Sequence, residues 1–199
     1  MIFNYNKYSI NPNKLIHLSG LKRGSILDFG CGKGVWESKK IDFKNINKIV
    51  LYDKQKKLIK FLTKKYEKKK FKINFSLKSI LKKERCNIVF FSSVVQYISK
   101  AKLKKLVQQL SKNKHIDSII FSDVPYLPRI IEFVFLPLIN LNRFIFVLKI
   151  LFSKKYIKLN YYKYSKKDFN IFKKDFDVKF YKNLHDLKLM RYSVVLKKN

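Results

Sequence analysis

Glycine is scarce in this chain. There are five in 199 residues, and three of them fall within residues 30–34. Cysteine is scarcer still, with two, too few for a disulfide framework. Cys31 follows the first strand read below and Cys86 precedes the fourth. That puts them at opposite ends of a sheet, roughly 17–20 Å apart for strands of ordinary length. A disulfide needs Cα atoms within about 7 Å, so both are expected as free thiols in a reducing cytoplasm. No opening stretch pairs a basic start with an apolar run and a small-residue cleavage site, so no signal peptide is read. Acids are few as well, 13 against 46 Lys and Arg, and only five of those cations are arginine. Arginine is the side chain that matches phosphate bidentately. Its shortage speaks against a dedicated nucleic-acid surface.

What is abundant is lysine, and with it a formal net charge of +33. Such a charge invites nucleic acid or anionic lipid. Lys, Ile, Asn, Phe and Tyr all have A/T-rich codons, however, so the composition needs no partner to explain it. Residues 54–70 carry nine lysines and residues 100–114 carry six. The two helices expected there lie on opposite faces of a sheet, so the charge surrounds the molecule as a solvated coat. Non-specific nucleic-acid binding is the expected consequence. At 47% hydrophobic, residues 1–199 suffice for one domain with a sizeable core.

The glycines that are present sit where a ligand would need them. Ser25-Ile26-Leu27-Asp28-Phe29 reads as a short buried strand carrying an acid, followed by Gly30-Cys31-Gly32-Lys33-Gly34. Glycines there let the backbone turn with positive φ and let a ligand approach bare main chain. A dinucleotide fingerprint, G-x-G-x-x-G, would need Gly or Ala where Val35 stands. Residues 46–53 read as a second strand ending in Asp53, nineteen residues after Gly34. An acid about 20 residues after a glycine loop is placed to accept both ribose hydroxyl protons. The plainer alternative is a tight turn in an unrelated α/β protein, with Asp53 capping the next helix.

The Asp-x-Gly-x-Gly-x-Gly pattern of Asp28, Gly30, Gly32 and Gly34 resembles the first motif of class I S-adenosylmethionine-dependent methyltransferases. The resemblance implies S-adenosyl-L-methionine as cofactor, held by Asp28, Gly30, Cys31, Gly32, Gly34 and Asp53. Phe91-Ser92-Ser93-Val94-Val95-Gln96-Tyr97-Ile98 is similar to the loop after the fourth strand in members acting on small molecules or glycans, which adds Ser92 and Ser93 to the cofactor side. Many members carry an acid after the third strand for the adenine amino group. Phe75-Ser76-Leu77 has none, which leaves Ser76 or backbone groups for that role. No metal is implied. Asp123-Val124-Pro125-Tyr126 is superficially similar to the Asp/Asn-Pro-Pro-Tyr motif of DNA amino-methyltransferases. It follows the fifth strand rather than the fourth, and has valine where proline is required.

The rest of the chain keeps a strand–helix rhythm, which predicts a doubly wound, mostly parallel sheet. Leu58, Phe61, Leu62 and Tyr66 give a helix at helical spacing. Residues 71–76 read as a strand, and residues 77–86 as a connector with a single helical turn. Residues 87–91 form a continuous apolar run, as in a strand buried on both faces. Ser99 caps a helix whose core face is Leu103, Leu106, Val107 and Leu110, and residues 118–121 form the fifth strand. Ser165 opens a capped helix with Asp168 at its third position and Phe169, Phe172 and Phe176 on one side. Residues 177–181 and 190–197 close a Rossmann-like, seven-stranded sheet with an antiparallel hairpin.

Between the fifth strand and that last helix lies an apolar insert, residues 128–158. Its length could span a bilayer, but Arg143, Pro137, Asn140 and Asn142 interrupt it, and arginine at a membrane centre costs roughly 2.5–3.5 kcal/mol. Two short helices fit better, as a lid over the sheet edge or as a face for a lipid-linked substrate or anionic membrane surface. Leu141, Phe144, Ile145, Leu148 and Phe152 form the apolar side, with Lys149, Lys154, Lys155 and Lys158 beside them. The expected protein is thus a cytoplasmic methyltransferase, able to sit peripherally on the inner face of a membrane. Its expected acceptor is a small molecule, a glycan or a lipid-linked compound; the alternatives are a nucleic-acid (RNA) methyltransferase and a non-catalytic S-adenosylmethionine-binding module. Asp123, at the carboxyl end of a central strand, His185, in the loop between the last two strands, and Tyr97 are the candidate catalytic groups, should a hydroxyl acceptor need a base.

Overall fold

The computed structural model describes residues 12–20, 22–32, 44–66, 70–126, 161–182 and 191–199. Gly34, Val35, the insert at residues 128–158 and His185 lie outside them.

Seven strands form one sheet: β1 (Gly24–Phe29), β2 (Ile46–Tyr52), β3 (Phe71–Asn74), β4 (Ile88–Ser92), β5 (Ser118–Pro125), β6 (Phe176–Lys182) and β7 (Arg191–Lys198). Their order is β3-β2-β1-β4-β5-β7-β6. The first five are parallel to one another, and β7 runs antiparallel to both β5 and β6. The chain order reverses between β1 and β4, so the loops after these two strands open a crevice at the carboxyl edge of the sheet. That switch point is where open α/β sheets bind their ligands.

Alternate residues of each strand face opposite layers. Leu27, Val50, Val89, Ile119 and Phe121 pack with α3 (Leu77–Lys83), α4 (Lys100–Ser111) and the last helix, α5 (Lys166–Asn170). Ile26, Ile49, Leu51, Ile88 and Ile120 pack with α1 (Pro12–Ser19) and α2 (Ile59–Lys65) on the other side. Burial on both faces is what makes these strands apolar at every position rather than at every second one. An aromatic row crosses the first layer near the carboxyl edge. Phe29 meets Tyr52 at 4.8 Å and Phe91 at 4.6 Å, Phe91 stacks on Phe121 at 4.7 Å, and Phe121 reaches Phe169 at 5.3 Å. Phe91, Phe121 and Phe169 are fully buried, each contributing about 1.5–3 kcal/mol by leaving water.

Several elements differ from the sequence reading. Residues 77–83 make a seven-residue helix rather than a single turn, because the Ser76 hydroxyl accepts the Ser79 N–H and starts it. The strand before it stops at Asn74, whose side chain accepts the Ser76 N–H and turns the chain. Phe61, placed on the core side by spacing, is 43% exposed, with the Lys65 ammonium 5.3 Å from its ring centre. Phe176 belongs to β6 and not to the last helix, which ends at Asn170. That helix has the expected capping box: Ser165 and Asp168 bond reciprocally. Asp168 also holds Lys100, at 2.8 Å, which fastens α5 to the start of α4. The β5 strand runs four residues past its expected end, to Pro125, since β7 continues to pair with it. Both cysteines are buried free thiols.

Candidate functional site

The crevice is built from three strand ends. Two backbone donors of the first loop, Gly30 N–H and Cys31 N–H, reach the carbonyl of Tyr52 at 2.7 and 3.0 Å. The loop after β1 is thereby folded over the end of β2. Gly30 has φ +71° and Gly32 has φ +54°, the left-handed region where only glycine is comfortable. The two glycines do different jobs. A Cβ on Gly30 would come within 2.8 Å of both Val94 methyls, so its bareness lets the loop after β4 close on it. A Cβ on Gly32 would meet no described residue within 4 Å. Gly32 leaves the loop bare on that side.

Asp53 sits beside Gly32. It is 6% exposed. Its Oδ2 accepts the Gly32 N–H at 3.0 Å and its Oδ1 accepts the Gln55 N–H at 2.8 Å. The second bond is a local turn that opens the helical turn at Lys56–Leu58, so the plainer capping role exists alongside the bridge to the glycine loop. A carboxylate oxygen has a further lone pair after one such bond, and two hydroxyls on neighbouring ribose carbons would match this pair of oxygens. Asp28, at 1% exposure, lies one strand deeper. Cys31 is buried, and desolvation, with the charges of Asp28 and Asp53 behind it, raises its thiol well above the usual range. Such burial favours the neutral thiol over the thiolate.

Ser76 lies at the far edge of the crevice with its hydroxyl oxygen engaged as the cap of α3. A hydroxyl oxygen has a second lone pair, so Ser76 keeps an acceptor for an adenine amino group. Ser92 is the last residue of β4, opposite Ser122.

Ser93 begins the loop after β4, with φ +53°, and donates its hydroxyl to Asp123 Oδ2. Asp123 has φ +63°. Phe121 pairs with Val194 and Val124 with Tyr192, so β5 takes three steps where β7 takes two. This one-residue bulge turns the Asp123 carboxylate toward Ser93. Arg191 Nη1 donates to Asp123 Oδ2 at 3.1 Å and to Gln96 Oε1 at 2.8 Å. Asp123, expected as a candidate base, is thus brought to the crevice as the buried half of an ion pair with Arg191. Tyr97, on the helical turn Val95–Tyr97, is 46% exposed at the rim. Sequence reasoning missed Arg191 altogether. The one signal for it is that so few arginines stand among so many lysines.

Among the described residues no group of three or more His, Cys, Asp or Glu is arranged to hold a metal ion, and no helix is long and apolar enough to cross a membrane.

No protein-family model and no curated sequence matches the chain. Solved structures do. The methyltransferase domain of a bacterial Hen1, CtHen1-CN, superposes with a TM-score of 0.62 over 98% of both chains at 14% identity. The small RNA methyltransferase HEN1 matches with a TM-score of 0.59 over 94% of this chain and 24% of its own, at 13% identity. The N-methyltransferase NodS from Bradyrhizobium japonicum WM9, solved with S-adenosyl-l-homocysteine, matches with a TM-score of 0.58 over 94% of this chain and 84% of its own, at 9% identity. The sheet order, the antiparallel end and the flanking helices are those of the Rossmann-like methyltransferase fold.

Proposed function

We propose that this chain is an S-adenosylmethionine-dependent methyltransferase acting on a small-molecule, glycan or lipid-linked acceptor. The observation that carries the reading is Asp53: a buried carboxylate bonded to the N–H of Gly32, at the place where the loop is bare. The residues present fit the cofactor. Asp53 would hold the ribose, the bare backbone at Gly32 would admit the ligand, and the loop at Ser92 and Ser93 would form the wall toward the acceptor. S-adenosylmethionine supplies, when bound, a methyl group already activated on a sulfonium. The protein's own task is then to hold an acceptor in line, within about 3–3.5 Å, and to exclude water.

An acceptor hydroxyl must also give up a proton. Asp123 Oδ2 already takes the Ser93 hydroxyl and the Arg191 guanidinium, so Asp123 serves better as an orienting group than as the proton acceptor. Tyr97 at the rim and His185, outside the described residues, remain the proposed proton acceptors. A second reading, methyl transfer to RNA, is favoured by the net charge of +33 and by the likeness to the small RNA methyltransferase.

Titration calorimetry tests the cofactor. S-adenosylmethionine should bind and NAD should not. Asp53→Ala should weaken binding roughly tenfold or more, since hydrogen bonds to a charged group are worth about 1.5–3 kcal/mol each. Gly32→Val should abolish it, because a branched residue resists positive φ and its side chain would cover the bare backbone. Wild-type protein that takes up NAD, or variants that bind as the wild type does, would overturn the assignment.

A further inference from the structure

Arg191 opens β7 and joins four stretches of chain. Its Nη1 donates to Gln96 Oε1 at 2.8 Å and, with one N–H shared between two acceptors, to Asp123 Oδ2 at 3.1 Å and the Asp123 carbonyl at 3.2 Å, while Nη2 donates to the Tyr161 hydroxyl at 2.6 Å. The Asp123 side chain is buried, at 2% exposed, and that of Arg191 is partly so, at 13%. An ion pair taken out of water needs further hydrogen bonds to support it; here Gln96, Tyr161 and Ser93 supply them. Ser93 and Asp123 are the only non-glycine residues of positive φ among the described residues. Such conformations cost of order 1–3 kcal/mol each and survive where the surroundings over-determine them. The guanidinium is what over-determines them: it holds the Asp123 carboxylate and carbonyl, and Asp123 holds the Ser93 hydroxyl.

The other end of this chain of contacts is the cofactor loop. Val94, next to Ser93, rests on Gly30 so closely that a Cβ there would fall 2.8 Å from its methyls. A shift of the Ser93–Val94 backbone therefore moves one wall of the crevice against the other. The choice of cation agrees. In a chain with five arginines among 46 cations, an arginine stands where a planar fork must reach Gln96, Asp123 and Tyr161 together. A lysine ammonium is a point charge on a flexible stem and has no such fork.

We propose that Arg191 is a positioning residue for the cofactor site, setting the loop after β4 against Gly30 from the antiparallel side of the sheet without touching the cofactor itself. The proposal rests on the methyl-donor reading above. The test is calorimetric titration of the whole protein with S-adenosylhomocysteine, well below the melting temperature, on wild type, Arg191→Lys, Arg191→Met and Glu84→Gln. Glu84 belongs to an ion-pair cluster at the opposite, amino-terminal edge of the sheet, with Lys48 and Lys72. Both Arg191 variants should raise Kd about tenfold or more, although lysine keeps the charge. Glu84→Gln should lower the melting temperature and leave Kd within twofold of wild type. If Arg191→Met does not fold, Arg191→Lys decides. Arg191→Lys binding within twofold of wild type would overturn the proposal while leaving the cofactor reading intact. So would a Glu84→Gln loss of affinity as large as that of Arg191→Lys, since stability alone would then explain both. Wild type that fails to bind S-adenosylhomocysteine would overturn the cofactor reading itself, and the proposal with it.

Discussion

At Ser93 two effects of opposite sign meet: the backbone takes φ +53°, and the hydroxyl bonds the buried Asp123 carboxylate. Left-handed backbone costs an ordinary residue roughly 1–2 kcal/mol, and a hydrogen bond to a charged group returns about 1.5–3 kcal/mol. Ser93→Ala keeps the strain and loses the bond, whereas Ser93→Gly loses both. Urea unfolding should find the alanine variant less stable than the glycine variant by about 1 kcal/mol; equal midpoints would mean that the positive φ carries no cost. The residues of the crevice divide by how far along the chain their partners lie. Gly30, Gly32 and Asp53 were legible because strand, loop and next strand are consecutive and the spacing carries the geometry. The contacts of Arg191 were not, since its partners Gln96 and Asp123 lie 95 and 68 residues away. Nor is a bulge visible in a run such as Ser118-Ile119-Ile120-Phe121-Ser122, because it depends on which partner strand arrives and in which direction.

Elements were legible where local chemistry and burial agreed. The capping box at Ser165 and the apolar runs of β1, β4 and β5 are of this kind. The helix Pro12–Ser19 went unread, although Pro12 is its first residue and Gly20 follows its last with φ +71°, the asymmetry that marks helix ends. Phe176 reads as helical because its burial matches a helical period from Phe169 and Phe172, while the chain between them turns and begins β6.

The cluster at Glu84 shows how elements are tied at the edge away from the crevice. Its carboxylate, on a side chain 3% exposed at the end of α3, meets Lys48 of β2 at 2.6 Å and Lys72 of β3 at 2.5 Å. Burial alone would raise its pKa, but the hydrogen bonds and charges of the two lysines outweigh it and hold the carboxyl below the usual range. A depressed carboxyl stabilises the fold above its unfolded pKa, about 4.3, and that stability is lost as pH falls through the lower folded value. The melting temperature of the wild type should therefore drop below about pH 4.3 more steeply than that of Glu84→Gln, which should start lower at pH 7. Parallel curves would show that other carboxylates govern the acid limb.

At the scale of the whole molecule the charge has to be weighed against its arrangement. There are 46 lysines and arginines against 13 acids. Of the acids, Glu84, Asp123, Asp168 and Asp177 already pair with cations of the chain itself. The lysines that remain stand on both layers. Lys54, Lys56, Lys57 and Lys64 are exposed around α2 on one face of the sheet, and Lys102, Lys104 and Lys105 are exposed on α4 on the other. A polyanion laid on one face cannot reach the other, so the net charge overstates what any one strand would meet. The field should raise encounter rates with any polyanion and confer no sequence preference, because phosphate contacts position without specifying. We expect single-stranded RNAs of unrelated sequence to bind alike at 50 mM salt and to be released by 200 mM. Engaging 6–10 phosphates predicts a fall in affinity of about 10³–10⁵ over that interval. Fluorescence anisotropy with two unrelated oligonucleotides across the salt range measures both properties. One RNA held tightly at 200 mM while the other dissociates would show a built site rather than a coat, and would promote RNA over the small-molecule, glycan or lipid-linked acceptor.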